Sequence, residues 1–235
     1  MKNFLTLAAS DTSGGAGIQQ DLKMAQRLDF WGLSIITALT AQDLNKVYSM
    51  EVVSDKMLID QCEAIFHNFS ISAVKIGVVP SVAFAQIMHK FLKKLDCPVV
   101  FDPVIRSSSG FEFSKSEGFD IIKILCDVST VITPNIPEMD FIRGNMCGTD
   151  DLQQIQKELG CSVYLKGGHS ISGDIKEFLI TDKGIKEFLY PKYDWKYSHG
   201  TGCTFSSILS ILMVDIDIER ACELAQDKLV EVFNC

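Results

Sequence analysis

Short apolar runs alternate with amphipathic stretches along this chain, and that alternation limits the fold more than any other feature. Residues 3–9, 33–39, 73–76, 99–102, 130–133 and 162–166 read as strands. Between them, 14–30, 55–69, 82–95, 119–125 and 151–159 read as helices, and in 55–69 Leu58, Cys62, Ile65, Phe66 and Phe69 fall on one face. Apolar strands each followed by a helix predict a mostly parallel sheet covered on both faces. The rhythm then changes. Residues 175–181 and 185–190 flank Asp182-Lys183-Gly184 and predict an antiparallel edge hairpin. Helices over 203–213 and 218–233 close the chain. No linker, repeat or low-complexity stretch interrupts the pattern, so residues 1–235 are expected to form a single α/β domain.

Composition narrows the function. The net charge is −8, against the basic face a nucleic-acid partner would need. It leaves room for an anionic ligand, because a metal ion and local backbone N–H groups act over short range. No run approaches the roughly 20 apolar residues of a membrane span, and the apolar stretch after Lys2 is too short for a signal peptide. The expected location is the cytoplasm. Eight cysteines occur without any CxxC pair, and histidines number only four, so zinc-site spacing is missing and reduced thiols are expected.

Ligands of parallel sheets bind beyond the carboxyl ends of the strands, where the distinctive residues of this chain gather. Ser10-Asp11-Thr12-Ser13-Gly14-Gly15-Ala16-Gly17-Ile18 leaves the first strand and opens a helix. Its glycines let backbone approach a ligand, and they exceed what a capped turn needs. It is neither a Walker A loop nor GxGxxG, which removes a Rossmann oxidoreductase. Thr40-Ala41-Gln42-Asp43 ends the second strand; the Gln42 amide offers a donor and an acceptor together, and a local loop bond is the plainer reading.

Asp102-Pro103-Val104 and Thr133-Pro134-Asn135-Ile136-Pro137-Glu138 place carboxylate and amide oxygens at two further strand ends. They suit Mg2+, or serve simply as caps at helix entries. Lys166-Gly167-Gly168-His169 suits a phosphate. The strongest cluster is His199-Gly200-Thr201-Gly202-Cys203-Thr204, opening an apolar helix. Gly200 and Gly202 free N–H groups for a transferring phosphoryl group, and the helix dipole is expected to lower the pKa of Cys203. A thiolate there would accept a proton from an attacking hydroxyl.

In this order, these clusters resemble the hydroxymethylpyrimidine/phosphomethylpyrimidine kinase family of the ribokinase-like superfamily. The resemblance runs through segments 10–22, 35–42, 73–77, 102–110, 133–138, 165–169 and 198–204. It implies a three-layer αβα fold and phosphorylation, by ATP with Mg2+, of 4-amino-5-hydroxymethyl-2-methylpyrimidine and of its monophosphate in thiamine diphosphate biosynthesis or salvage. It also implies that Ala9, Ala16, Asp21, Gln42, Val78 and Val104 line the pyrimidine site. Lys166, Thr181, Thr201 and the 199–204 loop would contact ATP, with Asp102, Asn135 and Glu138 near the phosphates and Asp102 and Glu138 toward the metal. Cys203 stands where most ribokinase-like enzymes carry a catalytic Asp, which implies that it is the base, assisted by Gly200, Gly202 and Lys166. Relatives commonly form dimers, so a homodimer is expected. Ala9, Thr12 and Val78 depart from the usual Gly, Pro and Met of the family. Those departures leave open a pyridoxal kinase, or a non-catalytic module that senses the pyrimidine.

Overall fold

The computed structural model describes residues 1–107, 110–114, 117–146, 151–167, 173–193, 195 and 199–234. Its strands are β1 (Asn3–Asp11), β2 (Trp31–Gln42), β3 (Val47–Val52), β4 (Ala73–Ile76), β5 (Val99–Phe101), β6 (Val131–Ile132), β7 (Ser162–Leu165), β8 (Ile175–Thr181) and β9 (Gly184–Tyr190). The helices are α1 (Gly17–Arg27), α2 (Asp55–Asn68), α3 (Val82–Leu92), α4 (Gly118–Cys126), α5 (Ile136–Asn145), α6 (Leu152–Leu159), α7 (Thr201–Leu212) and α8 (Ile218–Phe233).

One sheet runs in the order β3-β2-β1-β4-β5-β6-β7-β8-β9. From β2 to β7 the pairing is parallel, while β3 at one edge and the β8–β9 hairpin at the other are antiparallel. Buried side chains sort into two layers. Leu58, Met88, Ile121, Met139 and Ile155, from α2 to α6, pack with Val74, Ile76 and Phe101 of the sheet. Met24, Ile208 and Ala225, from α1, α7 and α8, pack with Val100, Val131 and Tyr164. Alternate strand residues thus face opposite helix layers, as a sheet buried on both sides requires. This is the three-layer architecture expected from the sequence.

Two elements differ from the sequence reading. Strand β3 was not expected: its alternation is masked because Tyr48, Ser49, Glu51 and Val52 are all exposed. Helix α5 was anticipated only as a helix entry; Pro137 lies in its first turn, where a missing N–H costs nothing.

Candidate active site

Three loops meet above the carboxyl ends of β1, β5 and β7. The first leaves β1 at Asp11, whose carboxylate organises it. Asp11 Oδ1 accepts from the Ser13 N–H and hydroxyl, both at 2.7 Å, and Oδ2 accepts from the Ala16 N–H at 2.8 Å. His199 Nε2 lies 3.1 Å from the same oxygen, which ties this loop to the one before α7. Burial alone would raise the pKa of Asp11, but hydrogen bonds from Gln42, Ser13 and His199 outweigh it and hold the carboxyl low. Close approach of the two loops demands glycine at Gly200. Its φ is +83°, and a Cβ there would sit 1.8 Å from the carbonyl oxygen of Gly15.

Neither α1 nor α7 has a side-chain cap; Ala16 and Gly200 occupy the cap positions. No side chain of the cap residue satisfies their first N–H groups. The N–H of Gly17 is directed at the sulfur of Cys203. A hydrogen bond from Gln20 Nε2 to Thr204 Oγ1, 2.8 Å long, locks the two helices side by side. Cys203 is half-buried at the third position of α7, with the helix beginning at Thr201.

The thiol corrects one expectation. The helix dipole predicted a lowered pKa, yet burial pushes Cys203 above its ordinary value. Lys75 and the Gly17 N–H pull it down, while Asp21 and Asp102 push it further up. Desolvation disfavours the thiolate more than one helix terminus favours it.

Asp102, buried after β5, carries the second group of contacts. Its Oδ1 accepts from Lys166 Nζ at 2.7 Å and from the Thr133 hydroxyl at 3.3 Å. Lys166 continues β7 and bridges to Asn135, so the ends of β5, β6 and β7 present one polar cluster. Burial would lower the pKa of Lys166, but Asp102 and Glu138 hold it above its ordinary value. Asn135 and Glu138 close a capping box: the Asn135 N–H donates to Glu138 Oε2 at 2.8 Å, and the Glu138 N–H donates to Asn135 Oδ1 at 2.9 Å. Burial, and then the carboxylate of Asp102, push Glu138 up to about 7 against the pull of Lys166. Gly202 meets this cluster directly, since a Cβ built there would lie 3.3 Å from Lys166 Nζ and 3.6 Å from Asp102 Oδ2.

An apolar wall stands beside the glycine loop. Ala9, Ala38, Val47, Val78 and Phe113 are buried together, with Met50, Val104 and Phe111 packed against them. Gln42, half-buried at the end of β2, turns its side chain to Asp11. Asp21 is fully buried in α1 and paired with Lys75 of β4, so it lies beneath the cleft and does not line it.

Thr181 is a correction. The register pairs Val163 with Ile180 and Leu165 with Phe178, so Thr181 lies at the opposite end of the sheet from Lys166. Four residues of strand, about 13 Å, separate the two levels. Gly168 and His169 lie outside the described residues. Sequence reasoning placed Asp11 and His199 only as members of the loops 10–18 and 199–204, and gave Lys75 no role of its own. The signal for Lys75 was a lone charge inside the apolar strand Ala73-Val74-Lys75-Ile76.

Comparison with known proteins identifies the family and the fold. The sequence profile of the family described as phosphomethylpyrimidine kinase matches residues 11–233. A hydroxymethylpyrimidine/phosphomethylpyrimidine kinase of Aquifex aeolicus is 34% identical over 98% of this chain and 93% of its own. The crystal structure of a phosphomethylpyrimidine kinase from Clostridium difficile 630 superposes with a TM-score of 0.82 at 34% identity, covering 99% of each chain. An ADP complex of Bacillus subtilis pyridoxal kinase gives a TM-score of 0.84 at 27% identity, over 97% of this chain and 90% of the other. Among the described residues no helix is long and apolar enough to cross a membrane. The chain is a kinase and belongs to the phosphomethylpyrimidine kinase family.

Proposed function

We propose that this kinase transfers the γ-phosphoryl group of ATP to the hydroxymethyl oxygen of 4-amino-5-hydroxymethyl-2-methylpyrimidine, and then a second phosphoryl group to the monophosphate, in the supply of thiamine diphosphate. One observation carries the reading: the sulfur of Cys203 sits where the uncapped starts of α1 and α7 converge, beside the Lys166–Asp102 cluster. That is the arrangement an in-line transfer needs, with a proton acceptor at one end of the path and positive charge around the phosphates.

The ring stacks against the wall of Ala9, Val78 and Val104, with the backbone of Ala16 beside it. Gln42 uses the amide group not held by Asp11 to bond the aminopyrimidine edge. Cys203 Sγ takes the hydroxyl proton as the oxygen bonds to the γ-phosphorus and the bond to ADP breaks. The N–H groups of Gly200 to Cys203, including those of Thr201 and Gly202, and the Lys166 ammonium receive the charge spread over the transferring oxygens. Cys203 must first lose its own proton to solvent, and its raised pKa makes the thiolate, once formed, the stronger proton acceptor.

The carboxylates of Asp102 and Glu138 fit Mg2+: they are hard oxygen donors close enough for Asp102 to raise Glu138, with Asn135 adjacent. A bound Mg2+ would neutralise phosphate charge there. We further propose that the chain acts in the cytoplasm as one kinase domain and as a homodimer, since Leu39, Tyr48 and Val52 leave the β2–β3 edge with exposed apolar side chains. ADP release measured with hydroxymethylpyrimidine, its monophosphate and pyridoxal tests the assignment. Turnover of both pyrimidines above pyridoxal is expected. Preference for pyridoxal would move the chain toward the Bacillus subtilis neighbour, and ligand binding without ADP release would make it a sensor.

A further inference from the structure

Beneath the cleft lies an ion pair that phosphoryl transfer does not obviously require. Lys75 Nζ sits 3.0 Å from Asp21 Oδ1 and 2.9 Å from Oδ2, and both side chains are 0% exposed. Asp21 also accepts from Thr6 Oγ1 at 2.6 Å and from Ser207 Oγ at 2.8 Å. Every donor faces a carboxylate oxygen, the pattern of an ionised acid. Lys75 stands between Val74 and Ile76, which face the opposite helix layer, so it points toward α1 and α7. Its ammonium reaches along the strand to the carboxyl end, for a Cβ on Gly77 would lie 3.0 Å from Nζ. Ser207 lies one helical turn after Cys203 on the same face of α7. The anchor of the pair is therefore built into the helix that carries the sulfur.

Stability does not account for this pair. Two apolar side chains of similar volume would serve a parallel sheet as well or better, because desolvating two charges offsets their attraction. We propose that Lys75, anchored by Asp21, is a positioning residue that acts through Cys203, supplying the buried positive charge that supports its sulfur as proton acceptor and fixing the first turns of α7 on β4. The charges around that sulfur are Asp21 from α1, Lys75 from β4, Asp102 after β5 and Lys166 after β7. Of the two lysines, Lys75 is wholly shielded from water and Lys166 is not. Burial would lower the pKa of Lys75, but the carboxylates of Asp21 and Asp102 outweigh it and keep Lys75 protonated. This rests on the reading of Cys203 as the base.

The test reads the sulfur separately from turnover. Peptide-resolved alkylation by iodoacetamide is followed against pH in metal-free buffer, for the native chain and for Lys75→Met/Asp21→Asn, which removes both charges and strands neither. At pH 8 the double variant should alkylate Cys203 about threefold more slowly, because loss of the Lys75 attraction outweighs relief of the Asp21 repulsion, and lose kcat to a similar degree. KM for ATP should stay within about twofold, and raising the pH should recover the alkylation rate. In the native chain Cys203 should react faster at pH 8 than Cys97, which is half-buried beside Asp96. An unchanged Cys203 profile in the folded double variant, or a native Cys203 slower than Cys97, overturns the inference whatever turnover does. Full turnover by Cys203→Ala would instead overturn the base, leaving a shifted alkylation profile in place.

Discussion

Two lysine–aspartate pairs flank the same cysteine, and they differ in their access to water. Asp21–Lys75 is sealed between α1, α7 and β4, with both side chains 0% exposed. Asp102–Lys166 opens to the cleft, where the Lys166 side chain is 16% exposed. Enclosure commits the first pair to fixed geometry, because breaking it would strand a charge where no water can reach. Partial exposure leaves the second able to exchange partners, which the proposed contact of Lys166 with a phosphate requires. On the proposed mechanism, one chemical unit serves as scaffold in one place and as machinery in the other.

The sharpest way to break this contrast is to remove each lysine. Lys75→Met leaves Asp21 buried without a counter-charge and should cost about 3–5 kcal/mol in urea unfolding. A loss below about 1 kcal/mol would mean that the first pair is no more structural than the second.

The neighbourhood of the second pair should respond to pH. Glu138 titrates at about 7 in the fold against an ordinary value of 4.5. The native state therefore holds an extra proton between these values, and stability falls as pH rises from about 4.5 to about 7. The native chain should lose about 3 kcal/mol relative to Glu138→Gln across that window. Parallel unfolding curves at pH 4.5 and pH 8 would contradict the shift.

Lys166→Met should lower kcat by about 100-fold, roughly 2.7 kcal/mol, while destabilising the fold less than Lys75→Met does, because the cleft lets water reach the Asp102 left behind. Comparable destabilisation by the two lysine variants would erase the distinction between the pairs.

Much of this site was legible from strand ends alone. Asp102, Glu138, Lys166 and Cys203 each follow an apolar run or open a helix, and the topology of a parallel sheet gathers those positions. What escaped depended on partners distant in sequence. Lys75 had no legible role because its partner Asp21 lies 54 residues away. Asp11 was legible only as part of its glycine-rich loop, because the fold alone brings His199, 188 residues on, beside it. The thiol shift of Cys203 was misjudged because a helix dipole can be read locally whereas burial cannot. Thr181 failed for a related reason: an antiparallel return strand carries its last residue away from the cleft, and register fixes that only once β7 and β8 are paired. Strand β3 hid because an edge strand with both faces wet need not alternate.

The central claim is that the sulfur of Cys203 takes the proton of the attacking hydroxyl. It is tested most directly by the rate of ADP release from Cys203→Ala at saturating ATP and hydroxymethylpyrimidine, with the unfolding midpoint measured alongside. The account predicts a fall of about 100-fold or more with an unchanged midpoint. Turnover within about threefold of the native rate would contradict it.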